Sequence, residues 1–153
     1  MSDEERNRWF LGTLDRVAAS SADTGGGYSV IVRVARRGFS PPVHCHSRED
    51  TGFFVLDGHL SYRVGDQKGE LRANQFAFAP RGVPHWFRVE SEQARFIEIL
   101  TPGGFEGFHA ELSEPAPGFE LPPEGYPVPT RDEMAAAADR YGTSLLPAFD
   151  DSE

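Results

Sequence analysis

Three features that direct proteins to particular compartments are scarce in this chain of 153 residues. It has a single cysteine, Cys45, so no internal disulfide can form and nothing indicates an oxidising compartment. No apolar run approaches the ~18 residues that a membrane span requires. The first residues are charged, unlike a secretory signal. These absences favour a cytoplasmic enzyme that does not bind a membrane.

Positive charge is also scarce. Lys and Arg number 15 against 24 Asp and Glu, which gives a formal net charge of -9. Nucleic-acid binding relies on clustered basic side chains that contact phosphates, so we do not expect a nucleic-acid partner. The one dense basic stretch, residues 33–37, lies in a strand-like segment and is interpreted as a solvated strand face. A small-molecule ligand is the remaining expectation.

The middle of the chain predicts an all-β fold. Short segments rich in β-branched and aromatic residues follow one another without helical segments between them, at residues 27–35, 51–57, 59–64, 76–79, 85–89 and 94–100. Asp57-Gly58 and Gly65-Asp66 are typical of hairpin turns. Strands at this spacing indicate an antiparallel sandwich or barrel, with a core at about residues 25–100 of one domain, 1–153.

The last third has a different composition, because eight of the twelve prolines follow Leu100. Residues 104–112 place apolar side chains on one helical stripe, and Thr130-x-x-Glu133 predicts a capping box that opens a second helix. Gly142 is expected to end that helix. We therefore expect residues 101–153 to wrap around the barrel as a short helical tail.

Histidines carry the clearest chemical signal. His44 and His46 are two residues apart, so on an extended strand they point to the same side, and Cys45 between them points away as an inert buried thiol. His85 follows a turn that contains Pro80 and Gly82. Imidazoles from two strands give the open arrangement used by catalytic transition metals. The pattern predicts a site for one divalent ion: iron, nickel, manganese or zinc.

These segments resemble the two signatures of the cupin superfamily, G-x5-H-x-H-x3,4-E-x6-G and G-x5-P-x-G-x2-H-x3-N. The first matches at Gly38, His44, His46 and Gly58, and the second at Pro80, Gly82 and His85. Two positions of the second signature differ: its opening glycine is Asn74, which tolerates left-handed backbone, and its final asparagine is Val89. Residues 10–12, 24–27, 101–106 and 140–142 are also similar to bacterial single-domain cupins called quercetin 2,3-dioxygenase-like. The resemblance implies a double-stranded β-helix of the jelly-roll type.

One departure from the signature concerns the metal. Thr51 occupies the position of the family's glutamate ligand, and its neutral hydroxyl is a weak ligand for a divalent cation. Asp50 has the opposite strand parity, whereas Glu49 has the right parity but lies at the turn, which makes it a possible substitute. We expect three histidines and water, so an ion there keeps its +2 charge and favours anionic ligands.

Three functions follow from the resemblance. The leading hypothesis is a dioxygenase-like oxidoreductase that acts on a small enolisable or phenolic substrate of polyketide or flavonoid type. Three-histidine iron cupins that cleave β-diketones, gentisate-like rings or thiols have a similar ligand set. The alternatives are a non-oxidative cyclase or isomerase with a Lewis-acidic metal, and a barrel that binds a small molecule without turnover.

Further residues are assigned by strand parity. Phe53, Val55 and Phe87 share faces with Thr51 or His85 and are expected to line an apolar pocket, although core packing explains them equally well. His109 on the tail stripe is expected to pack in the core rather than close the pocket mouth. Tyr28 and Tyr62 are candidate proton donors whose facing the sequence does not decide.

The N-terminal apolar residues Phe10 and Leu11 precede the barrel strands. Together with the resemblance to cupins, they lead us to expect a homodimer. An N-terminal strand that pairs with a neighbour's sheet would cover an otherwise exposed edge.

Overall fold

The computed structural model describes residues 1–150. Two antiparallel sheets face each other across a common core, which confirms the all-β barrel predicted from the strand series. Residues 1–150 form twelve strands and two α-helices, with short 3-10 turns at Glu4–Arg6 and Ala22–Thr24.

The seven-stranded sheet has the order β11-β1-β2-β3-β10-β5-β8. Its strands are β1 (Asn7–Phe10), β2 (Thr13–Ala19), β3 (Ser29–Arg36), β5 (Asp50–Asp57), β8 (Phe76–Ala79), β10 (Gln93–Thr101) and β11 (Ser113–Pro115). The five-stranded sheet has the order β12-β4-β9-β6-β7. Its strands are β4 (His44–His46), β6 (Leu60–Val64), β7 (Gln67–Leu71), β9 (His85–Val89) and β12 (Thr143–Leu145).

Alternating side chains fill the space between the sheets. In β10, every second residue from Ala94 to Leu100 is buried, which is the pattern of a strand with one face in the core. Aromatic and aliphatic side chains make up the main cluster, among them Phe53, Val55, Leu60, Phe87, Val89 and Phe96. Their burial supplies the main favourable contribution to folding.

The two predicted turns have different outcomes. Gly65 and Asp66 join β6 to β7, and Val64 pairs with Gln67, so this hairpin is confirmed. The prediction of a hairpin at Asp57-Gly58 is wrong, because β5 and β6 lie in different sheets. The chain crosses between the sheets there. Gly58 has φ 96°, and a Cβ at that position would lie 2.6 Å from the carbonyl oxygen of Gln93.

The tail forms both predicted helices, α1 (Glu106–Glu111) and α2 (Arg131–Arg140). Thr130 and Glu133 form the capping box at the start of α2. The tail does more than wrap around the barrel, since β11 extends one sheet beside β1 and β12 extends the other beside β4. A second buried cluster joins both helices to the barrel through Phe10, Ile31, Leu100, Phe105, Phe108, Ala137 and Ala138.

No helix in residues 1–150 is long and apolar enough to span a bilayer; α2, the longest, has ten residues.

Candidate metal centre

Three histidines meet on the inner side of the five-stranded sheet. His44 and His46 lie on β4, and His85 begins β9, where it is the strand partner of His44. The ring centroid of His44 lies 5.0 Å from that of His46 and 4.3 Å from that of His85. One ring nitrogen from each histidine lies within 4.8 Å of the others. Among residues 1–150, no carboxylate or thiol belongs to this group, and Cys45 between the histidines is only partly buried.

Backbone carbonyls orient two of the rings. Nδ1 of His44 lies 2.8 Å from the carbonyl oxygen of Pro42, and Nδ1 of His85 lies 3.1 Å from that of Val83. Because a carbonyl oxygen only accepts hydrogen bonds, Nδ1 carries the proton in both rings. Nε2 is therefore the nitrogen with a free lone pair, which is how metal-binding histidines are normally oriented.

The third ring is held by the tail. Nδ1 of His46 lies 2.8 Å from Oγ1 of Thr143 in β12 and 3.6 Å from Oε2 of Glu49. Both oxygens stand behind the ring, on the Nδ1 side. Sequence reasoning missed Thr143, because nothing local to residues 143–145 indicates that this strand pairs with β4.

The surroundings keep the imidazoles in the form that binds metals. Burial lowers the pKa of His44 well below its ordinary value, and His85 and His46 lower it further. Burial also lowers the pKa of His85, and it lowers that of His46 to about 3, helped by His85 and His109. Neutral imidazole is the state that coordinates a metal. Nε2 of His85 is buried without a hydrogen-bond partner, which is costly unless it has a ligand to bind.

Neither Glu49 nor Thr51 belongs to the histidine group. Thr51 is buried on the inner face of β5, between Leu100 and Ala79, and its Oγ1 has no hydrogen-bond partner in the described chain. Glu49 is buried behind His46 rather than among the free Nε2 atoms. Burial raises the pKa of its carboxyl, against the opposing charges of Arg48 and Arg81.

Contacts between loops fix the two signature segments against each other. The backbone N–H of Gly82 donates to the carbonyl oxygen of His46 at 2.7 Å. Asp50, which points away from the interior as predicted, accepts hydrogen bonds from the backbone and guanidinium of Arg81. Asn74 adopts φ 70°, so it does take the left-handed backbone expected where the signature has glycine.

Comparison with protein families agrees with the fold and with these signatures. Residues 30–100, from β3 to the end of β10, match the family model described as "Cupin domain". The chain carries a cupin domain. This segment contains all three histidines and most of the barrel, whereas the tail and the first two strands lie outside it.

A curated relative and two solved structures are similar to the chain around this cupin domain. Quercetin 2,3-dioxygenase of Bacillus subtilis (strain 168) is 25% identical over 135 residues, which is 88% of this chain but 40% of that protein. The chain thus spans about two fifths of the relative's length. KdgF from Halomonas sp. aligns with TM-score 0.57 and 18% identity, covering 63% of this chain and 85% of that one. A point variant of oxalate decarboxylase from Bacillus subtilis aligns with TM-score 0.61 and 17% identity, covering 69% and 29%. These two structures support the fold.

A small cavity opens beside the histidines of the cupin domain. Its volume is about 50 Å³, and its lining is mainly apolar, with His44, His46, Phe10, Phe39, Phe87, Phe105 and Phe108 among its walls. Of the predicted pocket residues, Phe87 lines the cavity, whereas Phe53 and Val55 belong to the core beneath it. Tyr28 is exposed, and Tyr62 lines a groove outside the barrel.

The prediction that residues 33–37 form a solvated strand face is wrong for Arg33. This side chain is on the inner face of β3, is 2% exposed and lines the cavity. Strand alternation points Arg33 inward together with Ile31 and Ala35, and a buried acid compensates its charge. Nε and Nη2 of Arg33 donate to Asp15 at 2.6 and 3.2 Å.

His109 and Glu98 complete this charged wall. Nδ1 of His109 lies 2.6 Å from Asp15 and 3.2 Å from Nη2 of Arg33, so His109 is a buried core residue that also lines the cavity. Glu98, on the inner face of β10, lies 3.5 Å from Nη1 of Arg33. Sequence reasoning missed Glu98, although strict burial alternation along β10 places it on the same face as Phe96 and Leu100.

Proposed function

We propose that the protein binds one divalent transition metal through Nε2 of His44, His46 and His85 and acts as a dioxygenase-like oxidoreductase. The substrate class is a small enolisable or phenolic molecule of polyketide or flavonoid type. The observation that supports metal binding best is the set of three converging imidazoles, two of them buried and that of His44 partly buried, each held at Nδ1 so that Nε2 is free.

The donor set fits iron, nickel, manganese or zinc. Imidazole suits all four ions, and three protein ligands leave coordination positions for substrate or water. When bound, such an ion acts as a Lewis acid that stabilises negative charge on a substrate oxygen. The similarity to a protein named quercetin 2,3-dioxygenase favours an oxidative reaction, although this chain matches only part of that protein.

The chain's own residues supply the environment of the reaction. Phenylalanines of the barrel and of the tail surround the cavity and exclude water from the substrate. Phe105 packs its ring edge-on against His46, with centroids 4.5 Å apart, and so restricts this imidazole from the tail side. Residues beyond the cupin signatures therefore shape the site.

Elemental analysis of protein purified without added metal tests the proposal. We expect close to one transition-metal ion per chain, and we expect His85→Ala to lose it, because two imidazoles are too few to hold the ion. His59→Ala is the matched control, since His59 lies outside the group of three. Oxygen consumption with a panel of β-diketones and catechols then tests the oxidative reaction. Equal metal content in His85→Ala and wild type would contradict the proposed site.

A non-oxidative reaction is the second candidate. The observation that favours it is Thr51, which occupies the position of the signature's glutamate and leaves no carboxylate in the histidine group of the described chain. A metal that only polarises a carbonyl can drive isomerisation or cyclisation without oxygen. Zinc as the native ion, with turnover and no oxygen consumption, would select this function; absence of both metal and turnover would select a binding protein. A cytoplasmic location and a homodimeric state stay predictions.

A further inference from the structure

Glu98 is a buried acid that has no role in the metal site described above. It lies on the inner face of β10, opposite Ile31 of β3 and Phe53 of β5. Arg33 is paired with Phe96, two residues before Glu98, so Arg33 and Glu98 are diagonal neighbours on one face of the sheet. A carboxylate in such a place needs compensation, because burial without partners is expensive.

The two acids beside Arg33 are compensated to different degrees. Asp15 accepts hydrogen bonds from Nε and Nη2 of Arg33. Its carboxylate also lies 2.6 Å from Nδ1 of His109 and 3.3 Å from Oγ1 of Thr13. Among residues 1–150, Glu98 has one hydrogen-bonding partner, Arg33, whose Nη1 lies at the long distance of 3.5 Å. The side chain of Asp15 is 1% exposed, whereas that of Glu98 is 10% exposed. Asp15 is therefore saturated, and Glu98 keeps capacity to accept another hydrogen.

The carboxylate of Glu98 lies at the cavity. Glu98 lines it together with His44 and His46, and it is the one carboxylate among the described residues that line the cavity. It does not belong to the histidine group, whose ligand atoms lie within 4.8 Å of one another. A ligand that occupies the cavity therefore meets imidazoles from the five-stranded sheet and a carboxylate from the seven-stranded sheet.

We propose that Glu98 accepts the acidic proton of an enol, phenol or similar O–H ligand bound at the histidine site, which makes it a catalytic residue of the proposed function. In this step the ligand O–H bond breaks and its electron pair stays on the ligand oxygen. The proton forms an O–H bond with the Glu98 carboxylate. No electron is gained or lost overall. Arg33 is a positioning residue that holds Glu98 at the cavity wall.

The experiment compares two small ligands on Co²⁺-loaded protein by titration calorimetry. Acetohydroxamic acid must lose a proton to bind as an anion, whereas azide is already an anion at pH 7.5. In Glu98→Gln we expect acetohydroxamic acid to bind roughly 10- to 100-fold more weakly, because a hydrogen bond to a charged group is lost. Azide binding should stay equal or become tighter, since a nearby negative charge is removed.

Proton counting adds a second readout. Titrations in two buffers with different ionisation enthalpies give the protons released to solvent, and Glu98→Gln should release about one more proton per site than wild type on binding acetohydroxamic acid. Glu92→Gln, the same change at an exposed residue, should behave as wild type. Glu98→Asp keeps a carboxylate that can accept the proton, so the number of protons released should match wild type while the affinity for acetohydroxamic acid falls. This variant tests the inference if Glu98→Gln does not fold.

The outcomes separate this inference from the proposed function on which it rests. Equal proton release and equal affinity in wild type and Glu98→Gln, with Co²⁺ bound in both, would overturn the role of Glu98 alone. Loss of Co²⁺ from Glu98→Gln would also overturn it, since Glu98 would then be a ligand. Wild-type protein that binds no Co²⁺ would overturn the proposed metal site, and the role of Glu98 with it.

Discussion

At the scale of single residues, local periodicity is enough to place His44 and His46 on one face, whereas His85 joins them through the pairing of β9 with β4. His44 and His46 share a face because side chains alternate along a strand, and the turn at Pro80 and Gly82 starts the strand of His85. The burial of Arg33 cannot be predicted in this way, since an alternating strand has two faces and the composition of β3 does not indicate which one is inside. Thr143 depends on a pairing over about a hundred residues of chain.

Thr51→Glu tests the charge balance of the site at this scale. A carboxylate on the inner face of β5 should tighten metal binding by about tenfold or more, because it adds an anionic ligand beside three neutral imidazoles. It should also weaken the binding of anions such as azide, because the carboxylate occupies a coordination position and cancels half of the ion's charge. Chelator competition measures the first effect, and azide titration measures the second.

Two other substitutions are controls for the change at position 51. Thr51→Gln adds similar bulk without charge and should not tighten metal binding. Thr51→Ala should alter metal affinity little, because Oγ1 of Thr51 has no partner to lose in the described chain. If Thr51→Glu leaves the affinities for metal and azide unchanged in folded protein, position 51 does not face the ion.

At the scale of elements, the sequence predicts where strands and helices occur better than it predicts which strands pair with each other. The β-rich segments and the capped helix follow from local composition, and both are present. The link between β5 and β6 has the residues of a hairpin turn but carries the chain between sheets, because the choice depends on which sheet offers each strand a partner. The edge strands β11 and β12 have three residues each, too few for a clear alternation.

The charged wall consists of Asp15, Arg33, Glu98 and His109, which lie on three strands and a helix. The contribution of its ion pairs to the free energy of unfolding should depend on pH. Burial alone would raise the pKa of Asp15, but Arg33 and His109 outweigh it and lower the pKa to about 2, below the ordinary 3.8. Since the folded state then binds the proton less readily than the unfolded state, this contribution to stability is complete above about pH 4. It is lost as the pH falls from about 4 towards 2.

Asp15→Asn removes this contribution and leaves the charge of Arg33 without its main partner. We expect a loss of roughly 3–5 kcal/mol in the free energy of unfolding at pH 7, as is usual when one partner of a buried pair is removed. Urea titrations from pH 7 to pH 2.5 should show the difference from wild type shrinking below about pH 4. Asp66→Asn, the same change at an exposed residue of the turn between β6 and β7, is the control. A difference that does not change with pH would contradict the role given to Asp15.

At the scale of the whole molecule, the N-terminal strand does not act as predicted. β1 is paired on both sides, with β2 and with β11 of its own chain, so β1 itself offers no free edge to a neighbour. Phe10 is buried in the cluster that joins the tail to the barrel. The expectation of a homodimer needs a different surface, and the outer face of the seven-stranded sheet provides one.

That face is apolar across three adjacent strands. Phe76 and Phe78 on the edge strand β8 are 56% and 52% exposed, and Leu56 on β5 and Ile99 on β10 are each 36% exposed. Strand pairing makes these positions contiguous, because Phe54 is opposite Phe76 and Gly52 lies between Phe78 and Ile99. Monomeric proteins rarely expose a continuous apolar surface of this kind, and a twofold dimer buries the same patch of both copies at once.

We therefore expect wild-type protein to be dimeric at micromolar concentration and the double substitution Phe76→Ser, Phe78→Ser to be monomeric. The histidine site is on the opposite sheet, so metal content should not change in this variant. Val128→Ser is the control, since Val128 is 55% exposed but lies in the tail beside Trp9 of β1, at the other end of the sheet from β8. Multi-angle light scattering measures the mass of each form. A wild-type monomer, or a dimer that survives the double substitution, would rule out this face as the contact between subunits.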